Sequence, residues 1–194
     1  STSAENYVRK ASSLVDKVDN RELKLRFEVC HARSMDHSRK FLPAAFKYHS
    51  LSLQQGIDES NLQYLLDCAI ICAVVGPAGP QRSRILSALF KDERTRRSEH
   101  FDIFQKMYLD RFINQKEKEA FAEKVEKHHK AKISEDFTIL DRAIIEHNIV
   151  ALSKIYETIS FESLAKFLNI KKNFCEKTIH GMITEKRLTG IIDQ

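Results

Sequence analysis

Two cysteines at i and i+4, Cys68 and Cys72, would place both sulfurs on one face of a helix, a geometry that can hold a metal ion. Their neighbours are apolar except Asp67, so free thiols packed in a core are the favoured reading. His128 and His129 are adjacent; on a helix they diverge by about 100° and do not readily share one ion, so both are expected at the surface. Glu146-His147 invites comparison with a zinc-hydrolase helix, but the second histidine needed four residues after the first is absent, position 151 being Ala151. The glycine-containing run Gly76 to Ser83 lacks both the lysine and the preceding strand of a phosphate loop, and is expected to join two helices. No set of nucleophile and base survives inspection, nor any metal constellation. The chain is therefore expected to be non-catalytic, with no metal and no cofactor.

One charged group remains. Arg82 and Arg84 stand near a helix start, where an anion could bind, but within QRSRILSALFKDER they lie close to Asp92, Glu93 and Arg94. Mixed charge of this kind marks a solvated or interhelical face, so these five residues are expected to form a charged interface or an ion-pair network.

The elements that would position these residues are helices. The 194 residues include only five Gly and three Pro, and 42% are hydrophobic, enough for one large domain or two small ones. A charge of +5 from 32 Lys and Arg against 27 Asp and Glu is mixed along the whole chain, which is a solvated surface more than a nucleic-acid footprint. Four cysteines without a CxxC pair point to a reducing compartment. The most apolar run, Leu65 to Val75, is interrupted by Asp67 and falls short of the roughly 18 residues a membrane span needs. With no signal-peptide pattern at the start, a soluble intracellular protein without membrane partners is expected.

Along the chain, Tyr7, Ala11, Leu14, Val15 and Val18 mark the inner face of a first helix; Leu23, Phe27, Cys30 and Ala32 that of a second; and Phe41, Ala44, Ala45, Phe46 and Tyr48 that of a third. A fourth, capped by Asp58 and apolar nearly all round, must be covered on several sides. Helix starts near Ala4, Lys40 and Gln81 suggest a repeat of about 40 residues, the length of one helix pair. A helix from Lys116 to His129 precedes a long one from Phe137 to Tyr156. The long helix bears two apolar stripes, Leu140, Ile144, Ala151 and Ile155 beside Ile145, Ile149, Leu152 and Tyr156, and would join two structural units. After it come a β-favouring Thr158-Ile159, a short helix capped by Ser160, a tight Asn169-Ile170-Lys171 turn, another helix, and Gly190 to Asp193 as a strand. That order is a winged helix whose wing lacks its returning strand, as expected of a piece of a longer protein. The presumed recognition helix mixes Lys171, Lys172, Lys177, Lys186 and Arg187 with Glu176 and Glu185, so weak, salt-sensitive nucleic-acid binding at most is expected.

Four blocks stand out together: GPQRSRILSALFKDER (Gly79 to Arg94), KMYLDR (Lys106 to Arg111), LDRAIIEHN (Leu140 to Asn148) and MITEKRLTGIIDQ (Met182 to Gln194). They resemble the subunit 4 family of the constitutive photomorphogenesis 9 signalosome, which are PCI-domain proteins. Lys130 to Phe137 is more polar than that family leads one to expect. The resemblance implies a mostly α fold: a helical-repeat (TPR/HEAT-like) solenoid over 1–136, then a winged-helix subdomain over 137–194. It further implies a non-catalytic scaffold, cytoplasmic and nuclear, in an assembly that removes the ubiquitin-like protein Nedd8 from cullins. The partners would be other PCI subunits and cullin-RING ligases. The wing edge, Thr158, Ile159, Gly190, Ile191, Ile192 and Asp193, would extend a neighbour's sheet. A PCI subunit of the proteasome lid or of a translation initiation factor remains the alternative, and behind it a winged-helix nucleic-acid binder.

Overall fold

The computed structural model describes residues 2–15 and 19–193. Ten α-helices follow in order: α1 (Thr2–Val15), α2 (Arg21–His37), α3 (Phe41–Ser52), α4 (Glu59–Val75), α5 (Pro80–Phe90), α6 (Phe101–Tyr108), α7 (Gln115–Lys124), α8 (Ile139–Ser153), α9 (Phe161–Leu168) and α10 (Lys172–Thr184). A 3-10 turn, Glu93–Arg97, sits between α5 and α6. No strand occurs among the described residues, and no helix there is long and apolar enough to cross a membrane. The fold is mostly α, as expected.

α1 through α4 pack successively, and the starts of α1, α3 and α5 at Thr2, Phe41 and Pro80 keep the expected spacing of helix pairs. α4 is the hub: α3, α5, α6, α8 and the 3-10 turn all pack on it, which is why its sequence is apolar nearly all round. Asp58 sits at its N-cap position without making the side-chain capping bond. Its last turn ends where Gly76 passes so close to α3 that an added Cβ would lie 2.5 Å from Leu42 Cδ2. Gly79, at φ 143°, and Pro80 at the first helical position then turn the chain into α5.

Several expected faces are rotated. Tyr7 and Leu14 of α1 point to solvent while Val8, Ala11 and Val15 are half-buried; Val18 lies outside the described residues. On α2, Leu23 and Cys30 are exposed and the inner stripe is Leu25, Val29, Ala32 and Asp36. Phe46 of α3 is exposed as well. α7 stops at Lys124 instead of reaching His129, because Val125 turns extended at ψ 157°. The polar stretch after it closes on itself through an isolated bridge between Lys132 and Thr138, where a capping box with Asp141 starts α8.

α8 serves two cores. Leu140 and Ile144 belong to the large core of the helical array, while Ile145, Ile149 and Leu152 belong to a second core with Leu164, Cys175, Ile179 and Met182. The two stripes read in the sequence are both used, but α8 ends at Ser153 and leaves Ile155 and Tyr156 exposed.

Candidate functional site

α9 and α10 form a helix-turn-helix against α8. Ser160 Oγ accepts the Ser163 amide at 3.2 Å and starts α9; Asn169, left-handed at φ 53°, ends it. Phe137 stacks on Phe174 with ring centroids 4.0 Å apart, fixing α10 beside the entry to α8. Beyond α10 the chain runs past Thr158 and Ile159, and the two segments line one groove of about 490 Å³ with Leu152, Phe161 and Ile183. Ile159 and Ile192 pack on the second core, whereas Ile191 is 93% exposed. Alternation thus turns one isoleucine in and the other out. Thr158, Gly190 and Asp193 are exposed beside it.

The expected pairing of Thr158-Ile159 with Gly190 to Asp193 is not made: both segments lack a β-ladder. The reason is length. The Ile155 and Tyr156 amides bond back to Leu152 O at 3.0 Å each, and Ser160 already caps α9, so few residues remain for a strand.

Behind this groove, three consecutive residues of α8 fasten it to the helical array. Glu146 Oε2 accepts the Ala78 amide at 2.9 Å and Arg187 Nη1 at 2.7 Å, joining the α4–α5 loop to the segment after α10. His147 Nε2 lies 2.8 Å from Arg111 O. Asn148 accepts the Ile113 amide at 2.9 Å and donates to Ile113 O at 2.8 Å. All three are buried. Nearby, Arg82 donates to Gly76 O at 3.2 Å and Ala143 O at 3.4 Å; burial lowers its pKa to about 10, with the Glu146 charge opposing that shift. Burial, aided by the Arg82 charge, brings the His147 pKa down to about 4, so this imidazole is neutral. Every one of these contacts holds backbone or balances charge, the chemistry of a joint. As a zinc-hydrolase motif Glu146-His147 fails here too. Its real role had one signal in the sequence: three polar residues in a row on a helix with apolar stripes on both sides.

Residues 101–194 match the PCI domain family model, covering α6 onward and hence the helix-turn-helix, the groove and the α8 side of the junction. The chain is also similar over almost its whole length to curated relatives named COP9 (constitutive photomorphogenesis 9) signalosome complex subunit 4. Identity is 41% to the Arabidopsis thaliana relative over 98% of this chain and 50% of that one, and 42% to the Drosophila melanogaster relative over 100% and 48%. The Dictyostelium discoideum relative is 41% identical over 98% of this chain and 48% of its own. The chain spans about half the length of the curated relatives it matches.

On α10 and its two flanks, three of the five basic residues read in the sequence, Lys171, Lys172 and Arg187, face acids of the same chain. Lys172 pairs with Glu162, Lys171 Nζ is 3.5 Å from Asp136 Oδ2, and Arg187 is held by Glu146 and Glu185. Few cations are left to track phosphates.

The charged block upstream of the PCI domain match does not form one network. Asp92 and Arg94 do pair, Nη2 to Oδ2 at 2.6 Å, with Arg94 Nη1 donating to Ser52 O at 2.7 Å. Glu93 and Arg84 are exposed, and Arg82 lies apart in the junction, because a residue at the N-terminal turn of α5 is separated from Asp92 by that helix's whole length.

The adjacent histidines are the largest surprise. Instead of diverging on a helix, His128 and His129 lie in a turn, rings 3.8 Å apart, and both Nε2 atoms reach Asp36 Oδ1 of α2 at 2.9 Å. Burial would raise the Asp36 pKa, but the bonds from His129 and His128 outweigh it and hold the carboxyl below its ordinary value. Cys72 of α4 is buried beside them, and burial pushes its thiol well up, away from nucleophilic reactivity. Cys68, pushed to about 12 for the same reason, is a packing residue.

Proposed function

We propose that this chain belongs to a non-catalytic scaffold subunit of a COP9 signalosome complex, the assembly that deneddylates cullin-RING ubiquitin ligases in cytoplasm and nucleus. Identity of about 41% to subunit 4 relatives through nearly every residue, helical array and PCI domain alike, is the observation that carries the reading. Stacked helices supply broad faces for partners, and the joint on α8 fixes how the PCI domain's winged helix is presented to other PCI subunits. The proteasome-lid and initiation-factor alternatives lose ground to those relatives, and the paired cations on the second helix count against a nucleic-acid binder.

The exposed Ile191, on the rim of the groove between the α8–α9 connection and the last residues, is the side chain offered to a neighbour, while Ile192 fills the domain's own core. Single lysine substitutions in the full-length protein separate the two roles. Ile192→Lys should destabilise by about 1–3 kcal/mol and lower the melting temperature, the usual outcome of placing a charge at a core edge. Ile191→Lys should leave melting unchanged and cut co-purification of companion PCI subunits. Capture at the normal level by a folded Ile191→Lys variant would remove this face from the interface. Failure of the unsubstituted protein to co-purify any signalosome subunit would end the functional reading itself.

A further inference from the structure

We propose that Asp36, Cys72 and His129, with His128 as fourth donor, form a binding site for a divalent cation of the zinc class. The ligand-capable atoms of Asp36, Cys72 and His129 all lie within 4.8 Å of one another, and all three residues are buried. His128 Nε2 stands 2.9 Å from the same Asp36 oxygen that His129 approaches. Bond lengths of about 2.0 Å to nitrogen or oxygen and about 2.3 Å to sulfur put the ligand atoms of a tetrahedral zinc roughly 3.3–3.8 Å apart, so small movements of Asp36, Cys72 and His129 suffice, while His128 has to turn in from its place between Asp36 and Glu126.

The donor set points to the ion's class. A thiolate with two imidazoles and one carboxylate suits zinc, whereas calcium and magnesium select oxygen donors. The surroundings fit as well. His128 Nδ1 is 3.3 Å from Glu126 Oε2, the outer carboxylate that commonly orients a metal-bound imidazole. His129 Nδ1 is buried with no hydrogen-bond partner, so bonding to Asp36 alone does not satisfy that ring. A cavity of about 470 Å³ reaches Asp36 and His129 and gives an ion a path inward.

Binding would release the Cys72 thiol proton and leave the sulfur as thiolate. The ion would tie α2, α4 and the turn after α7 at one point, and clips that close long loops remove the most chain entropy. The spacing of residues 36, 72 and 128–129 matches no short metal motif, which is why the sequence leads to the opposite expectation.

The test uses full-length protein, stripped with chelator and titrated with Co²⁺ alone. One equivalent should produce strong visible bands of tetrahedral cobalt and a thiolate-to-cobalt charge-transfer band, and one equivalent of Zn²⁺ should abolish both. Cys72→Ser should lose the charge-transfer band while Cys68→Ser keeps it. His129→Gln, which leaves all four cysteines, should lose the tetrahedral bands and covers the case of an unfolded Cys72 variant. A weak octahedral spectrum throughout the titration, or a charge-transfer band that survives in folded Cys72→Ser, would overturn the proposal.

Discussion

The joint on α8 takes its polar groups from three consecutive residues and sends them to three separate segments. The Asp36 cluster does the reverse, gathering on one carboxylate oxygen two imidazoles that lie 92 and 93 positions away. At the joint, Glu146 accepts from a guanidinium and an amide, and Asn148 both donates and accepts. In the cluster two donors compete for one atom, a ring nitrogen is left over, and the site borders a cavity. The joint is therefore complete with protein atoms, while the cluster retains donor capacity for a ligand. Buried polar sets that are fully satisfied rigidify a fold; partly satisfied ones are where further chemistry is to be sought.

If that contrast holds, the joint carries the greater protein-only stability. Glu146→Ala should have the largest effect, about 3–5 kcal/mol by urea denaturation, because it strips Arg187 and the Ala78 amide of their buried acceptor and removes a carboxylate charge that helps balance buried Arg82. A loss below about 1 kcal/mol would mean that the joint is ornamental.

Acid should act next. The His147 pKa, about 4 in the fold against 6.5 ordinarily, means the unfolded chain takes up a proton that the native chain refuses between those values. Stability should thus fall as pH drops from about 6.5 to 4, by on the order of 3 kcal/mol from this group. His31, His49 and His100, also lowered by burial, add to the same slope. His147→Gln should flatten it by one proton's share, and an unchanged slope in that variant would assign the acid sensitivity elsewhere.

Asp36→Asn in chelator-treated protein should have the smallest effect, about 1–2 kcal/mol, since the amide oxygen still accepts one imidazole. A loss equal to that of Glu146→Ala would erase the distinction between the two sites.

Much of the fold was legible because its signals are local. The stripes of α8, the break at Gly76 to Pro80, and the Ser160 cap and Asn169 turn of the helix-turn-helix each depend on residues close in sequence. The inner faces of α1 and α2 were partly misjudged because large side chains such as Tyr7 and Leu23 lie outward and smaller ones such as Val8 and Val29 inward. Volume at a contact is decided by the neighbour, which periodicity does not contain. The six residues read as a wing edge come together along one groove instead, because segments so short form no ladder. The Asp36 cluster was invisible for a different reason: α7 ends at Val125 without glycine or proline, so nothing nearby showed that His128 and His129 leave the helix.

The Ala78 amide lies in a loop, where backbone protons ordinarily exchange with solvent quickly, yet it donates to the buried Glu146 carboxylate that also holds Arg187. Its deuterium uptake is thus a built-in gauge of whether the segment after α10 remains seated. Protection at that one amide would report whether the helix-turn-helix stays docked on the helices before it.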